Sequence, residues 1–286
     1  MFLSRSDAIT LWTLRAFAAI TAAITLLIAA FLLLESGPAL QSPGLTHFFT
    51  DRAWFPASAT PQFNLAPMIA GSLLATLGAL LIAVPLGIAA ALFSRFYAPP
   101  FLALLFRRLL ELLAGIPSVV YGFWGLVVLT PLIREWQPPG QSLLAAILIL
   151  SLMILPTIAL LSETALRSIP QSYLQGAAAL GLSRHSTIVG VALPAASSGI
   201  ISAVVLATGR AIGETMAVLM VAGNIVQVPD SLFAPVRTLT ANIALELAYA
   251  LDGHRAALFV SGLLLMALVV VLTALSHWVT RESQHA

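Results

Sequence analysis

Six stretches of about 20 mostly apolar residues follow one another along the chain, and they constrain the fold more than any other feature. They cover approximately residues 13–34, 68–93, 112–133, 142–162, 197–221 and 256–279. A helix needs about 20 apolar residues to cross the hydrocarbon core of a bilayer. Of the 286 residues only 8% are charged, whereas a soluble domain carries roughly 25%. The sequence therefore predicts an all-α integral membrane protein with six transmembrane helices.

Arginines predict the orientation of these helices, since cytoplasmic loops of membrane proteins carry an excess of basic residues. If the N-terminus is inside, eight arginines fall in cytoplasmic segments and four in outer segments. The first group is Arg5, Arg15, Arg95, Arg107, Arg108, Arg167, Arg184 and Arg281, and the second is Arg52, Arg134, Arg237 and Arg255. This asymmetry predicts that both termini lie in the cytoplasm.

Missing residue types exclude several functions. The chain has no lysine, and all 13 basic residues are arginine, so it has no phosphate-binding loop of the kind that nucleoside triphosphatases use. If ATP drives this protein, another chain must bind it. There is no cysteine, and the five histidines are scattered without metal-ligand spacing. We expect no catalytic residue and no metal site, and the high apolar content argues against a nucleic-acid partner.

Two charged residues, Arg210 and Glu214, lie within the fifth apolar stretch. A charge at the bilayer centre costs about 2.5–3.5 kcal/mol on insertion scales, and such residues usually face a bundle interior or a watery cavity. A spacing of four residues predicts that both lie on one helix face, where they would form either a structural ion pair or a functional one. Gly209 and Gly213 flank Arg210 in a pattern that lets another helix approach closely.

Residues 163–196 form the longest predicted cytoplasmic connection. Glu163 and Arg167 are four residues apart in the favourable order, which predicts that the fourth helix continues beyond the membrane. After the break at Ile169-Pro170, we expect two short helices that meet at Gly181 in a left-handed turn, the second ending before Pro194. This segment is either a projecting elbow that another protein grips or a solvated loop.

The spacing in this loop resembles the coupling motif of ABC-importer permeases, in which Glu-Ala-Ala, three residues, Gly and nine residues precede Ile-x-Leu-Pro. Gly181 is followed after nine residues by Val191-Ala192-Leu193-Pro194, and Gln175-Gly176-Ala177 occupy the place of Glu-Ala-Ala. The resemblance implies that Gln175, Gly176, Ala177, Gly181, Leu193 and Pro194 contact an ATPase. The acidic residue of the motif is missing at Gln175.

Three further stretches resemble the PstC-type permease of phosphate-specific ABC importers. They are LLAGIPSVVYGFWGLVVL (112–129), MILPTIALLSETALRSIP (153–170) and GRAIGETMAVLMVAGN (209–224). The resemblance implies a type I ABC-importer permease architecture with a cytoplasmic coupling helix in a bacterial inner membrane. It also implies a second permease of the PstA type, ATPase subunits of the PstB type that use ATP and Mg, and an extracytoplasmic phosphate-binding protein of the PstS type.

On this interpretation the chain divides into an N-terminal helix with an outer loop (1–67), a five-helix permease domain (68–280) and a short tail (281–286). Phosphate would pass Arg210, because the planar guanidinium fork matches an oxyanion better than the point charge of lysine does. Glu214 would hold Arg210 in place and prevent the anion from binding too tightly. Thr215 and Ser118 are weaker candidates that would supply hydroxyl groups along the path.

Three alternatives remain open at the level of sequence. The substrate could be another oxyanion, such as molybdate or sulfate. A proton-coupled secondary transporter would use Glu214 as its titrating group, although such a transporter needs no ATPase dock. A membrane sensor or assembly scaffold that transports nothing is the third alternative, which the missing acidic residue at position 175 leaves open.

Overall fold

The computed structural model describes the backbone of residues 5–285 and the side chains of residues 10–274. Its α-helices are α1 (Arg5–Ala39), α2 (His47–Thr50), α3 (Ala66–Leu92), α4 (Pro100–Gly115), α5 (Ser118–Trp124), α6 (Thr130–Trp136), α7 (Leu143–Arg167), α8 (Gln171–Ala179), α9 (Arg184–Thr187), α10 (Leu193–Gly213), α11 (Met216–Val221), α12 (Leu239–Glu246) and α13 (Asp252–His285). Segments of π-helix cover Leu40–Gly44, Phe93–Tyr97, Gly125–Leu129 and Ile188–Ala192, and β1 (Trp54–Phe55) pairs antiparallel with β2 (Gln62–Phe63). The predicted all-α fold is confirmed apart from this two-residue hairpin.

Five helices in the described part of the chain are long and apolar enough to cross a membrane, and the count rises to six if a bent pair of helices is taken as one span. The bent pair joins Pro100–Gly115 to Ser118–Trp136 at an angle of 90°. The six expected spans match the upper count, but the third expected span does not run as one helix over 112–133. Pro117 and the extended backbone of Ile116 break it, because a residue before proline is pushed out of the helical region.

Two prolines each follow a π-helical segment, with one residue in between. Pro131 follows the segment Gly125–Leu129, and Pro194 follows Ile188–Ala192. A proline cannot donate the backbone hydrogen bond of its turn, and a π-segment widens the preceding turn where that donor is missing. The expectation that a short helix ends before Pro194 is therefore wrong, since helical structure is continuous over Arg184–Gly213.

The larger of two compact units contains Leu65–Leu245 and Leu265–Ala286. Helix α7 is its central element, and α3, α10 and α11 pack around it in one apolar core. Small residues allow close approach at several of these contacts. A Cβ atom built on Gly122 of α5 would lie 2.8 Å from the Cα atom of Ala217 in α11. Helices α5 and α11 therefore pack backbone against backbone.

The smaller unit contains Met1–Asn64 and Glu246–Leu264. Phe31 of α1 meets Phe259 of α13 edge to face, with 5.5 Å between the ring centroids. The carboxylate of Glu246 accepts a 2.8 Å hydrogen bond from the indole Nε1 of Trp54 and lies 2.8 Å from Nε2 of His254. All three side chains are buried, so this unit is held together by a polar cluster as well as by ring contacts.

Candidate substrate path and coupling segment

The fifth span is broken at the charged residues that the sequence analysis singled out. Helix α10 ends at Gly213, Glu214 has an extended backbone, and α11 begins at Met216. Arg210 therefore lies in the last turn of α10, while Glu214 lies outside the helix. The prediction that the two charges share one helix face is wrong, because the spacing rule applies only within a continuous helix.

Contacts with α7 place this break between the two ends of the bundle. Gly199 of α10 contacts Ala165 near the end of α7, and the backbone N–H of Ser142, just before α7, donates to the carbonyl of Val221 at the end of α11. Helices α10 and α11 together thus run along the whole of α7. Between these contacts Arg210 reaches Thr157, which lies near the middle of α7.

Glu214 satisfies its side chain locally. Its Oε1 atom accepts a 3.0 Å hydrogen bond from the backbone N–H of Ala217 in the first turn of α11. Its backbone carbonyl accepts a 2.8 Å hydrogen bond from the hydroxyl group of Thr240. A carboxylate in this place caps the first turn of a helix and stabilises it electrostatically. Glu214 therefore holds the broken segment in shape.

Arg210 is exposed on the surface of the single chain. Its Nη1 atom makes a long hydrogen bond of 3.4 Å to Thr157 Oγ1, and among the described residues it forms no ion pair with Glu214 or any other carboxylate. It lines a cavity of about 500 Å³ whose other walls are Thr157, Val205, Leu206, Gly209, Val269 and Thr273. The chain thus carries a cation that its own described side chains do not neutralise.

The two hydroxyl candidates differ in their surroundings. Thr215 donates a 3.2 Å hydrogen bond to the carbonyl of Gly213 and so stabilises the break itself. Ser118 is the first residue of α5, and its hydroxyl makes no hydrogen bond to any described residue. The break after Gly115 precedes α5, and the break after Gly213 precedes α11. These two helices pack on each other. No hydrogen bond in the described chain joins Ser118 or Thr215 to Arg210.

Sequence reasoning missed Thr157, and it expected one helix over 112–133 where the chain breaks after Gly115. Thr157 follows Pro156 in the interior of α7, and nothing in its local sequence indicates the contact with Arg210. The Gly-Ile-Pro sequence at 115–117 did carry a signal for the second break, because glycine and proline punctuate helices.

The left-handed turn predicted at Gly181 is confirmed, and we call this turn the elbow. Gly181 has φ of +68°, a conformation that costs other L-residues free energy. The N–H of Gly181 bonds to the carbonyl of Ala178, and the N–H of Leu182 bonds to that of Ala177, which is the hydrogen-bond pattern of a Schellman helix end. Ser183 then caps α9 by accepting a hydrogen bond from the N–H of Ser186.

The residues that resemble the coupling motif differ in their exposure. Gln175, Gly176 and Gly181 are exposed, whereas Ala177 is buried and Leu193 packs partly into an apolar cluster. Pro194 is exposed within the continuous helix. Leu180 and Leu182 at the elbow are exposed as well. The elbow therefore offers a rigid, partly apolar surface.

The ion pair expected at the end of α7 is also confirmed. Arg167 Nη2 lies 2.6 Å from Glu163 Oε1, which also accepts a 2.9 Å hydrogen bond from the hydroxyl of Ser94. Glu163 is 1% exposed, and a buried carboxylate requires such partners. The cluster joins the ends of α3 and α7 next to the elbow.

A helical bundle with broken spans and an exposed elbow fits a membrane permease, and comparisons identify its family. Residues 83–283 match the model of the "Binding-protein-dependent transport system inner membrane component", and the chain belongs to this family. It is 34% identical to the "Phosphate transport system permease protein PstC" of Mesorhizobium japonicum over 96% of this chain and 89% of that protein. It is 44% identical to the "Probable ABC transporter permease protein YqgH" of Bacillus subtilis over 72% of this chain and 67% of that protein.

Solved structures share the fold. A permease chain of the bacterial alginate ABC transporter, crystallised in complex with an alginate pentasaccharide-bound periplasmic protein, has a TM-score of 0.66 and 17% identity, with 97% of this chain and 96% of that chain covered. A permease chain of the MetNI methionine ABC transporter, in an inward-facing conformation, has a TM-score of 0.58 and 19% identity, with 77% and 94% covered. The architecture is therefore that of a type I ABC-importer permease.

Proposed function

We propose that this chain is one of two permease subunits of an ATP-driven importer that moves inorganic phosphate into a bacterial cell. The observation that carries the proposal is the Arg210 guanidinium, which lies beside the middle of α7 without a carboxylate partner in the described chain. An exposed arginine at this depth is costly against lipid. Its charge therefore faces a second subunit, an aqueous path or both.

The small residues around Arg210 support a second permease as the neighbour. A Cβ atom built on Gly209 or Gly213 would meet no atom within 4 Å. A helix of a second permease of the PstA type fits this open face, because small residues let two helix backbones approach closely. Phosphate would then pass along the seam between the two subunits, where Arg210 presents two parallel N–H groups to its oxygens.

Phosphate is the proposed substrate because PstC of Mesorhizobium japonicum, a relative that matches 96% of this chain, is named for phosphate transport. ATP and Mg would be used by cytoplasmic ATPase subunits of the PstB type, which dock on the elbow at Gly181. An extracytoplasmic binding protein of the PstS type would deliver the anion. This chain would itself bind no nucleotide and catalyse no reaction.

Reconstitution tests the proposal. The chain is placed in proteoliposomes with its partner permease, ATPase and binding protein, and uptake of labelled phosphate is measured with ATP inside or outside the vesicles. We expect accumulation only when ATP reaches the ATPase, with no competition from sulfate or molybdate. Competition by either anion would contradict the phosphate assignment, and uptake driven by a proton gradient without ATP would favour a secondary transporter.

The proposed orientation has both termini in the cytoplasm, and it predicts a labelling pattern. The chain has no native cysteine, so Ser231→Cys and His185→Cys each introduce one thiol at an exposed position. We expect a membrane-impermeant maleimide to label position 231 in intact spheroplasts and position 185 only after permeabilisation. Labelling of position 185 in intact spheroplasts would show that the orientation is inverted.

A further inference from the structure

A cluster of arginines lines a cavity at the C-terminal end of α7. We call it the basic cavity, and its volume is about 660 Å³. It lies where the π-segment Phe93–Tyr97, helix α4 and the last residue of α7 meet. Its charged lining consists of Arg95, Arg107, Arg108, Glu111 and Arg167.

Positive charge exceeds negative charge in the basic cavity. Glu111 is shared by two arginines, with 3.0 Å to Arg107 Nε and 2.9 Å to Arg108 Nη1. Arg167 pairs with Glu163. Arg95 has no carboxylate partner among the described residues. The cavity can therefore accept an anion without losing an existing ion pair.

Arg95 also lacks a hydrogen-bond acceptor. Its Nε atom is buried and has no hydrogen-bond partner in the described chain, while its guanidinium carbon lies 5.5 Å from the ring centroid of Phe96. A buried donor of a charged group that stays unpaired destabilises the fold, because it has lost its water without gaining an acceptor. An acceptor from outside the chain would remove this cost.

The charged and apolar faces of helix α4 indicate that the cavity lies at a membrane surface. Arg107, Arg108 and Glu111 face the cavity, whereas Phe101 and Leu112 are exposed, at 80% and 70%. The helix meets α5 at 90°, and much of its length lines a cavity at the end of α7. A helix with one charged and one apolar face favours the boundary between headgroups and acyl chains.

We propose that the basic cavity binds the phosphate group of an anionic phospholipid. Arginine forks match phosphate oxygens, and basic pockets between membrane helices suit lipid headgroups. The acyl chains would lie against the exposed apolar face of α4. Free inorganic phosphate shares the headgroup chemistry but makes no use of that apolar face. The proposal is independent of the transport function, because it concerns a site at the C-terminal end of α7, whereas Arg210 lies beside the middle of that helix.

Native mass spectrometry of the full chain in detergent tests the site, with phosphatidylglycerol and zwitterionic phosphatidylcholine as probes. We expect Arg95→Gln to weaken phosphatidylglycerol binding about tenfold or more, which corresponds to the loss of one hydrogen bond to a charged group. The matched control is Arg134→Gln, an exposed arginine of α6, which removes the same charge. Equal weakening by both variants would indicate nonspecific attraction and overturn the site.

Two variants test the cavity without altering the buried atom. Arg108, whose side chain is 69% exposed, tolerates glutamine structurally, and Arg108→Gln should also weaken binding. Glu111→Gln releases two arginines and should strengthen binding, an effect that a purely structural role of Glu111 does not produce. Unchanged or weaker binding in Glu111→Gln would contradict the proposal. Displacement of phosphatidylglycerol by inorganic phosphate at equal concentration would assign the cavity to soluble phosphate and overturn the lipid.

Discussion

Replacing Arg210 with lysine is expected to reduce phosphate uptake about tenfold while the complex still assembles. Lysine keeps the positive charge but loses the planar pair of N–H groups that matches two phosphate oxygens. A hydrogen bond to a charged group contributes about 1.5–3 kcal/mol, which is roughly a tenfold to hundredfold effect on a rate. Arg210→Gln should reduce uptake further, because it removes the charge as well. Uptake by the reconstituted complex is compared with its yield and thermal stability.

The pair of Arg210 and Glu214 permits a sharper test of the same role. Glutamine at position 214 retains a side-chain oxygen that can accept from the N–H of Ala217, so Glu214→Gln should leave the break in place. Because the two side chains form no ion pair in the described chain, Glu214→Gln should not compensate for the loss of Arg210. The double variant Arg210→Gln with Glu214→Gln should therefore stay as inactive as Arg210→Gln alone. Uptake near that of wild type would show that transport requires only that positions 210 and 214 carry no net charge.

Replacing Gly181 with valine is expected to weaken assembly with the ATPase about fivefold to thirtyfold. The left-handed conformation at φ of +68° costs an L-residue about 1–2 kcal/mol, and valine is among the residues that adopt it least readily. The Schellman bonds of Ala177 and Ala178 would then rearrange and turn α8 away from α9. Copurification of the ATPase with the tagged chain measures the effect, with protein yield as a check on folding.

Gly181→Asn is the matched control, because asparagine adopts the left-handed conformation more readily than valine does. It should retain most of the ATPase. Gln175→Glu should also assemble normally, since the exposed position 175 tolerates the acidic residue of the coupling motif. If Gly181→Val copurifies with as much ATPase as wild type does, the elbow is not the docking surface.

The sequence by itself determined the features that depend on local chemistry. Long apolar runs can satisfy their backbone in a membrane only as helices, so the spans follow from composition and length. The left-handed turn at Gly181 follows from glycine's missing Cβ, and the Glu163–Arg167 pair follows from helical spacing. Each of these depends on residues that are neighbours along the chain.

Only the tertiary structure decided how the charged residues of the fifth span are used. No rule based on neighbouring residues predicts that Glu214 lies outside the helix that carries Arg210. The break at that point is held by the hydroxyl of Thr240 and by the packing of α11 on α5. Thr157 and Arg210 are 53 positions apart in the sequence, and they meet only because α7 and α10 pack together. These contacts join distant segments, and a spacing rule for a single helix contains no information about what packs against it.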